Sequence, residues 1–180
     1  MRRFRFPVAA LAVAALCSTT LVAQKTTQLK AGAGGSPHVR SEWVIDGANI
    51  SIEYGRPFVK GRAISAVAPN GQEWRTGADE ATTIKIDKAL MFGALHVNPG
   101  TYTLYTLPGE KQWQLIISKK TGQWGIPYPK GEDVGRAPMT VGTAPAAAEQ
   151  LTISIEDTKA GGTLHIDWGT TRVSAPFTIM

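Results

Sequence analysis

The chain has 180 residues, of which 43% are hydrophobic and 18% charged, with a formal net charge of +5 and a single cysteine. This apolar content excludes a wholly disordered protein, and the lone cysteine excludes a small domain stapled by disulfides. The length is that of one domain with a tail.

Residues 1–23 have the pattern of a secretory signal peptide. Three arginines lie within the first five residues, an apolar stretch follows from 6 to 16, and residues 21–23 supply a small residue at a cleavage point before Gln24. The apolar stretch is too short for a membrane anchor, since a bilayer about 30 Å thick needs about 20 residues. We therefore predict export to the periplasm or the extracellular space, with no membrane span after signal removal.

Removal of this segment changes the charge of the protein. The mature chain would keep 16 basic and 14 acidic residues, a formal charge of +2. The case for a nucleic-acid partner then loses its main support, so we predict none. Cleavage also removes Cys17, and with it any thiol chemistry of the mature chain.

The first elements of the mature chain are a linker and a hairpin. Residues 24–36 are polar and rich in glycine, which favours a flexible linker. Residues 39–45 and 48–54 then form two alternating runs joined by Asp46-Gly47. An Asp-Gly pair tolerates the positive φ angles of a type I′ turn, so this segment predicts a β-hairpin.

Similar patterns fill the rest of the chain. They predict strands at 82–88, 94–97, 101–107, 112–118, 151–156, 164–168 and 171–179. Residues 62–67 are a further candidate strand, and the alanines at 144–148 are interpreted as a loop. No segment has the apolar spacing of an amphipathic helix.

These elements predict an all-β fold in one domain over residues 37–180. About eight to ten short antiparallel strands with Gly and Pro turns are typical of a β-sandwich (jelly-roll or Ig-like) or a barrel. Trp43, Trp113 and Trp168 fall on the apolar faces of their strands, and we expect them in the core.

Residues 55–81 form a long connection between predicted strands, and connections of this length in compact domains are usually functional or contain structure of their own. It concentrates Arg56, Lys60, Arg62, Trp74 and Arg75 ahead of Asp79 and Glu80. Guanidinium groups suit carboxylate, phosphate or sulfate ligands, and Trp74 could stack on a sugar or an aromatic ring. Alternatively, the arginines pair with Glu53, Asp79 and Glu80 and only hold the loop in place.

The motifs in this region resemble a known family. Ser-Pro-His-Val at 36–39, Tyr-Gly-Arg-Pro at 54–57, Lys-Gly-Arg at 60–62, Trp-Arg-Thr-Gly-Ala-Asp-Glu-Ala-Thr at 74–82 and the run at 100–108 are similar to secreted bacterial proteins catalogued as domain of unknown function 2911. Trp113, Trp124-Gly125 and residues 168–173 fit the same pattern. The resemblance covers residues 36–179. It implies an exported, single-domain, β-rich protein, but no activity, cofactor or catalytic residue.

The sequence offers little for other chemistry. His38, His96 and His165 are in no metal-binding spacing, and no nucleophile motif is present, so we predict no metal, no cofactor and no assignable catalytic residue. Asp79 and Glu80 are neighbours, so on an extended segment their side chains would point to opposite sides. A glycosidase needs two carboxyl groups that face each other, so this pair does not favour glycosidase activity.

Three hypotheses of function stay open. The first is an exported protein that binds a small polar or anionic ligand, or a glycan, through residues 55–81. The second is a hydrolase that uses Asp79 or Glu80 with His38, and the third is a structural or interaction module of the cell envelope. The oligomeric state is left open. The candidate ligand-binding residues are His38, Tyr54, Arg56, Arg62, Trp74, Arg75, Asp79 and Glu80.

Overall fold

The structure is a computed structural model that describes residues 24–180. The predicted signal peptide lies outside the described residues. Ten strands and one 3₁₀ turn, at Ile64–Ala66, form this part of the chain. The strands are β1 (Lys25–Ala31), β2 (Pro37–Ile45), β3 (Ala48–Gly55), β4 (Thr83–Ile86), β5 (Leu90–Phe92), β6 (Leu95–Val97), β7 (Gly100–Leu107), β8 (Gln112–Ser118), β9 (Asp133–Thr158) and β10 (Gly161–Ile179).

The strands join in one antiparallel sheet with the order β1-β2-β3-β4-β7-β8-β9-β10-β5-β6. The all-β prediction is therefore confirmed, and the strand count lies within the expected range. The two-layer sandwich is not confirmed, since hydrogen bonding runs through all ten strands without a break. Strands β9 and β10, with 26 and 19 residues, are much longer than the short strands that the sequence predicted.

The predicted hairpin forms as its local sequence requires. Asp46 and Gly47 both have positive φ angles, of 46° and 73°, and β2 pairs with β3 from Ile45 opposite Ala48 outward. Trp43 lies opposite Ile50, and both side chains are buried. The alternation of apolar residues thus places one face of the hairpin in the core.

Three local predictions were wrong. Residues 25–31 are strand β1, paired with β2, where we expected part of a flexible linker. All seven residues of β1 are exposed, so the strand has no hydrophobic alternation for sequence reasoning to detect. Residues 144–148 lie within β9 and not in a loop, and residues 62–67 contain the 3₁₀ turn and no strand.

The tryptophans build the centre of the core. Trp43, Trp113 and Trp168 are at most 7% exposed, which confirms their predicted place. Trp74 joins them, stacked on Trp168 at 5.5 Å between ring centroids and edge-on to Trp113 at 6.4 Å. Trp74 therefore anchors the long connection to the sheet through a fully packed indole.

The end of β3 is tied to the middle of β9. The backbone N–H of Ile153 donates to the hydroxyl of Tyr54 at 3.0 Å, and the Nε of Arg56 donates to the carbonyl of Leu151 at 2.9 Å. The indole N–H of Trp168 donates to the carbonyl of Pro57 at 2.9 Å. These contacts fix the point at which the chain leaves β3 and enters the long connection.

Candidate functional site

The long connection folds back twice onto the sheet. Val59 N–H donates to the carbonyl of Glu149 at 2.7 Å, which holds its first half against β9. Trp74 and Thr106 exchange two backbone hydrogen bonds of 2.8 and 2.9 Å, which adds a short bridge to β7. Backbone hydrogen bonds to the sheet therefore hold the long connection in place near its beginning, at Val59, and in its second half, at Trp74.

A tight turn at residues 75–82 forms the inner wall of the site. Thr76 and Asp79 have φ angles of 56° and 62°, a region that Asp tolerates better than most residues. The hydroxyl of Thr82 donates to the carbonyl of Thr76 at 2.9 Å and closes the turn. Gly55 lets the turn approach β3, since a Cβ at this position would lie 2.3 Å from the carbonyl oxygen of Ala78.

The turn brings a carboxylate to a buried histidine. The Nε2 of His38 and the Oδ2 of Asp79 are 3.0 Å apart, and both residues are more than 90% buried. Glu80 lies on the exposed side of this pair, with Oε2 3.6 Å from the same ring nitrogen. Lys30 of β1 donates to Glu80 at 2.5 Å, and this hydrogen bond lowers the pKa of Glu80.

Two neighbouring depressions open around the His38–Asp79 pair. The larger, which we call the cationic cleft, has a volume of about 370 Å³. A smaller depression of about 180 Å³ lies on the other side and is lined in part by His38, Tyr54 and Glu80. The cationic cleft is lined by Gly34, Ser36, Pro57, Phe58, Lys60, Arg62, Val67, Arg75, Gly77, Ala78 and Asp79.

Three cations face the cationic cleft against one carboxylate. Lys60 lies with its Nζ 5.7 Å from the ring of Phe58, and Arg62 donates to the carbonyls of Phe58 and Val59 at 2.5 and 3.1 Å. Arg75 donates to the carbonyl of Trp124 at 3.0 Å. Among residues 24–180, none of the three cations forms a salt bridge with a carboxylate.

Burial of Arg75 has an electrostatic cost. Desolvation lowers the pKa of its guanidinium, and the charge of Asp79 only partly opposes this. The carboxylate of Asp79 is already engaged by His38. The guanidinium of Arg75 thus stays charged without a bound counter-ion in the described residues.

The arginines do not form the predicted network with carboxylates. Glu53 instead pairs with Arg40 of β2, whose Nε donates a hydrogen bond of 2.7 Å to the Oε1 of Glu53. Arg56 donates to the backbone of Leu151 and to the hydroxyl of Thr152. The hydrogen bonds of Arg56, Arg62 and Arg75 therefore go to carbonyl and hydroxyl oxygens, which fix the backbone and leave these side chains charged.

The predicted site residues separate into three groups. Arg62, Arg75 and Asp79 line the cationic cleft, and the smaller depression takes His38, Tyr54 and Glu80. Arg56 lines neither. Trp74 lines neither as well, because its ring is covered by Trp113 and Trp168 and is not free to stack on a ligand.

Sequence reasoning missed an exposed aromatic side chain beside the site. Trp124 is 48% exposed, and the guanidinium carbon of Arg75 lies 5.3 Å from the centre of its ring. The signal was present as a Trp-Gly pair in a segment without strand alternation. Ser36 and Gly34 were also missed, because they were assigned to a linker.

Neither a metal-binding cluster nor a membrane-spanning helix occurs in the described part of the chain. Over residues 24–180, no three His, Cys, Asp or Glu side chains come together as a metal-binding group. Within the same residues, no helix has the length and apolar character needed to cross a bilayer.

The fold and the cleft together define an all-β, single-sheet protein with a cation-lined depression formed mainly by the connection between its third and fourth strands. Residues 36–177 match the family model described as protein of unknown function (DUF2911), and the chain belongs to this family. No curated protein matches the chain. No solved structure matches it either.

Proposed function

We propose that the protein is exported and binds a small anionic ligand in the cationic cleft. The observation that carries the proposal is the set of three cations, Lys60, Arg62 and Arg75, around one depression without carboxylate partners. The signal-peptide pattern of residues 1–23 supports export. The ligand would be a carboxylate, phosphate or sulfate of a size that fits about 370 Å³.

The arrangement of the cations supports binding over a purely structural role. Arg62 is held by two backbone carbonyls, so its guanidinium is oriented before any ligand arrives. Arg75 is half-buried, and an incoming anion would restore the stabilisation that desolvation removes. A preorganised cation loses less conformational entropy on binding, which raises the affinity of the site.

The hydrolase hypothesis has one observation in its favour, the contact between His38 and Asp79. A general acid at neutral pH needs a raised pKa, however, whereas Lys30 lowers the pKa of Glu80. His38 is 6% exposed, and its Nε2 already faces Asp79. We therefore place His38 and Asp79 in a supporting role, as the pair that fixes the wall of the cleft.

Isothermal titration calorimetry with inorganic sulfate and with acetate, at constant ionic strength, tests the proposal. Lys60→Gln removes one exposed cation of the cleft, and we expect about tenfold weaker binding of the anion. Lys111→Gln is the matched control, since Lys111 is an exposed lysine of the β7–β8 turn outside the cleft. The proposal fails if neither anion binds, or if the two variants bind with the same affinity.

A further inference from the structure

Trp124 is the only tryptophan of the chain that presents its ring to solvent. All five tryptophans lie within residues 24–180, and the other four are at most 7% exposed. An exposed indole is uncommon on a protein surface and is frequent at recognition sites. Trp124 does not line the cationic cleft itself, but it lies directly beside Arg75, which does.

The backbone that carries the indole is held in place beside the cleft. Ala81 N–H donates to the carbonyl of Gln123 at 3.1 Å, and the hydroxyl of Tyr105 donates to the carbonyl of Gly125 at 3.3 Å. Gly125 has a φ of 89°, and a Cβ there would lie 3.0 Å from the Cβ of Arg75. The backbone around Trp124 is therefore packed directly on the residue that supplies the cation.

The lining of the cleft favours a ligand rich in hydroxyl groups. Ser36, Gly34, Gly77 and Ala78 contribute a hydroxyl, backbone groups and small side chains, and Pro57, Phe58 and Val67 add apolar surface. Pockets for aromatic ligands are mostly apolar, whereas hydroxylated ligands need many hydrogen-bonding groups. The combination of a charged cleft, polar lining and one exposed indole suits a sugar ring better than an aromatic acid.

We propose that the ligand is an acidic sugar, with its carboxylate at Arg75 and the C–H face of its ring on Trp124. This inference rests on the proposed function and names the ligand class of the same site. The cations supply affinity for the charge. Trp124 supplies the preference for a carboxylate attached to a ring over a small free carboxylate.

Glucuronate, glucose and acetate are the probes that separate the two contributions. At constant ionic strength, wild-type protein binds glucuronate about tenfold more tightly than acetate, and glucose more weakly than both. Glucuronate also protects the tryptophan fluorescence from acrylamide, a neutral quencher, because the only exposed indole becomes covered.

Variants of the aromatic residue complete the test. Trp124→Ala weakens glucuronate binding about tenfold more than it weakens acetate binding, whereas Trp124→Phe keeps most of the affinity for glucuronate. Ile126→Ala is the matched control, since Ile126 is an exposed apolar residue of the same loop. If Trp124→Ala does not fold, the relative affinities of the wild type for glucuronate and acetate, together with its acrylamide quenching, still decide.

Two outcomes overturn different claims. Equal affinity for glucuronate and acetate, with unchanged acrylamide quenching, refutes the acidic-sugar assignment and leaves the anion site intact. Absence of binding by acetate, sulfate and glucuronate alike refutes the anion site itself.

Discussion

Replacement of Gly55 by alanine tests how the inner wall of the cleft is built. The new Cβ would lie 2.3 Å from the carbonyl oxygen of Ala78 and 3.0 Å from the Nε2 of His38. Ordinary contact begins at 3.4 Å, so the turn at residues 75–82 would have to move by about 1 Å. The oxygen belongs to the backbone and cannot rotate away.

The expected cost is about 3 kcal/mol in the free energy of unfolding, at the upper end for an overpacked site. For a chain of this size, that corresponds to a fall of roughly 6–12 °C in Tm. Urea unfolding followed by tryptophan fluorescence measures the change. Gly142→Ala in β9 is the matched control, because a Cβ there meets no atom within 4 Å and should change stability by less than about 0.5 kcal/mol.

The result that would refute this reasoning is a Gly55→Ala protein as stable as Gly142→Ala. Equal stability would mean that the turn is not packed on β3 as described. The position of Asp79 and Arg75 in the cleft wall would then lose its structural basis, because both belong to that turn.

Two further predictions concern the surroundings of the site. Tyr54→Phe should lower the free energy of unfolding by about 1–3 kcal/mol in urea, since the buried N–H of Ile153 loses its acceptor; wild-type stability would contradict this. Glu80 has a lowered pKa in the folded state, so its stabilising effect is complete above the ordinary value of 4.5 and is lost as the pH falls through the lowered value. The Tm of the Glu80→Gln variant should therefore be lower than that of the wild type at pH 7 and equal to it in strong acid. A difference in Tm that stays the same at every pH would argue against the ion pair between Glu80 and Lys30.

The local part of the fold was predictable from sequence. Asp46-Gly47 specifies its turn through backbone sterics alone, and the alternation in β3 and β8 reports which face is buried. The order of the strands was not predictable, because alternation identifies a face and not a neighbour. Strand β1 was missed for a related reason: its stability comes from backbone pairing with β2, which leaves no side-chain pattern.

The candidate site was predictable as a segment and not as a geometry. The density of cationic and aromatic residues drew attention to residues 55–81, and the structure places three cations of this segment around one cleft. Trp74 was a candidate for stacking on a ligand because it lies on the long connection, yet its ring packs on Trp113 and Trp168, which come from distant strands. The contact of His38 with Asp79 spans 41 positions, and no local pattern encodes it.

The ties between β3 and β9 have a consequence for the order of events during biosynthesis. Tyr54 meets Ile153, which is 99 positions later in the chain, and Pro57 meets Trp168, which is 111 positions later. The ribosome delivers residues 55–81 long before these supports exist. The cleft can therefore take its final form only after the last two strands are synthesised, and any truncated product that ends before residue 150 carries the cleft residues without the strands that hold them in place.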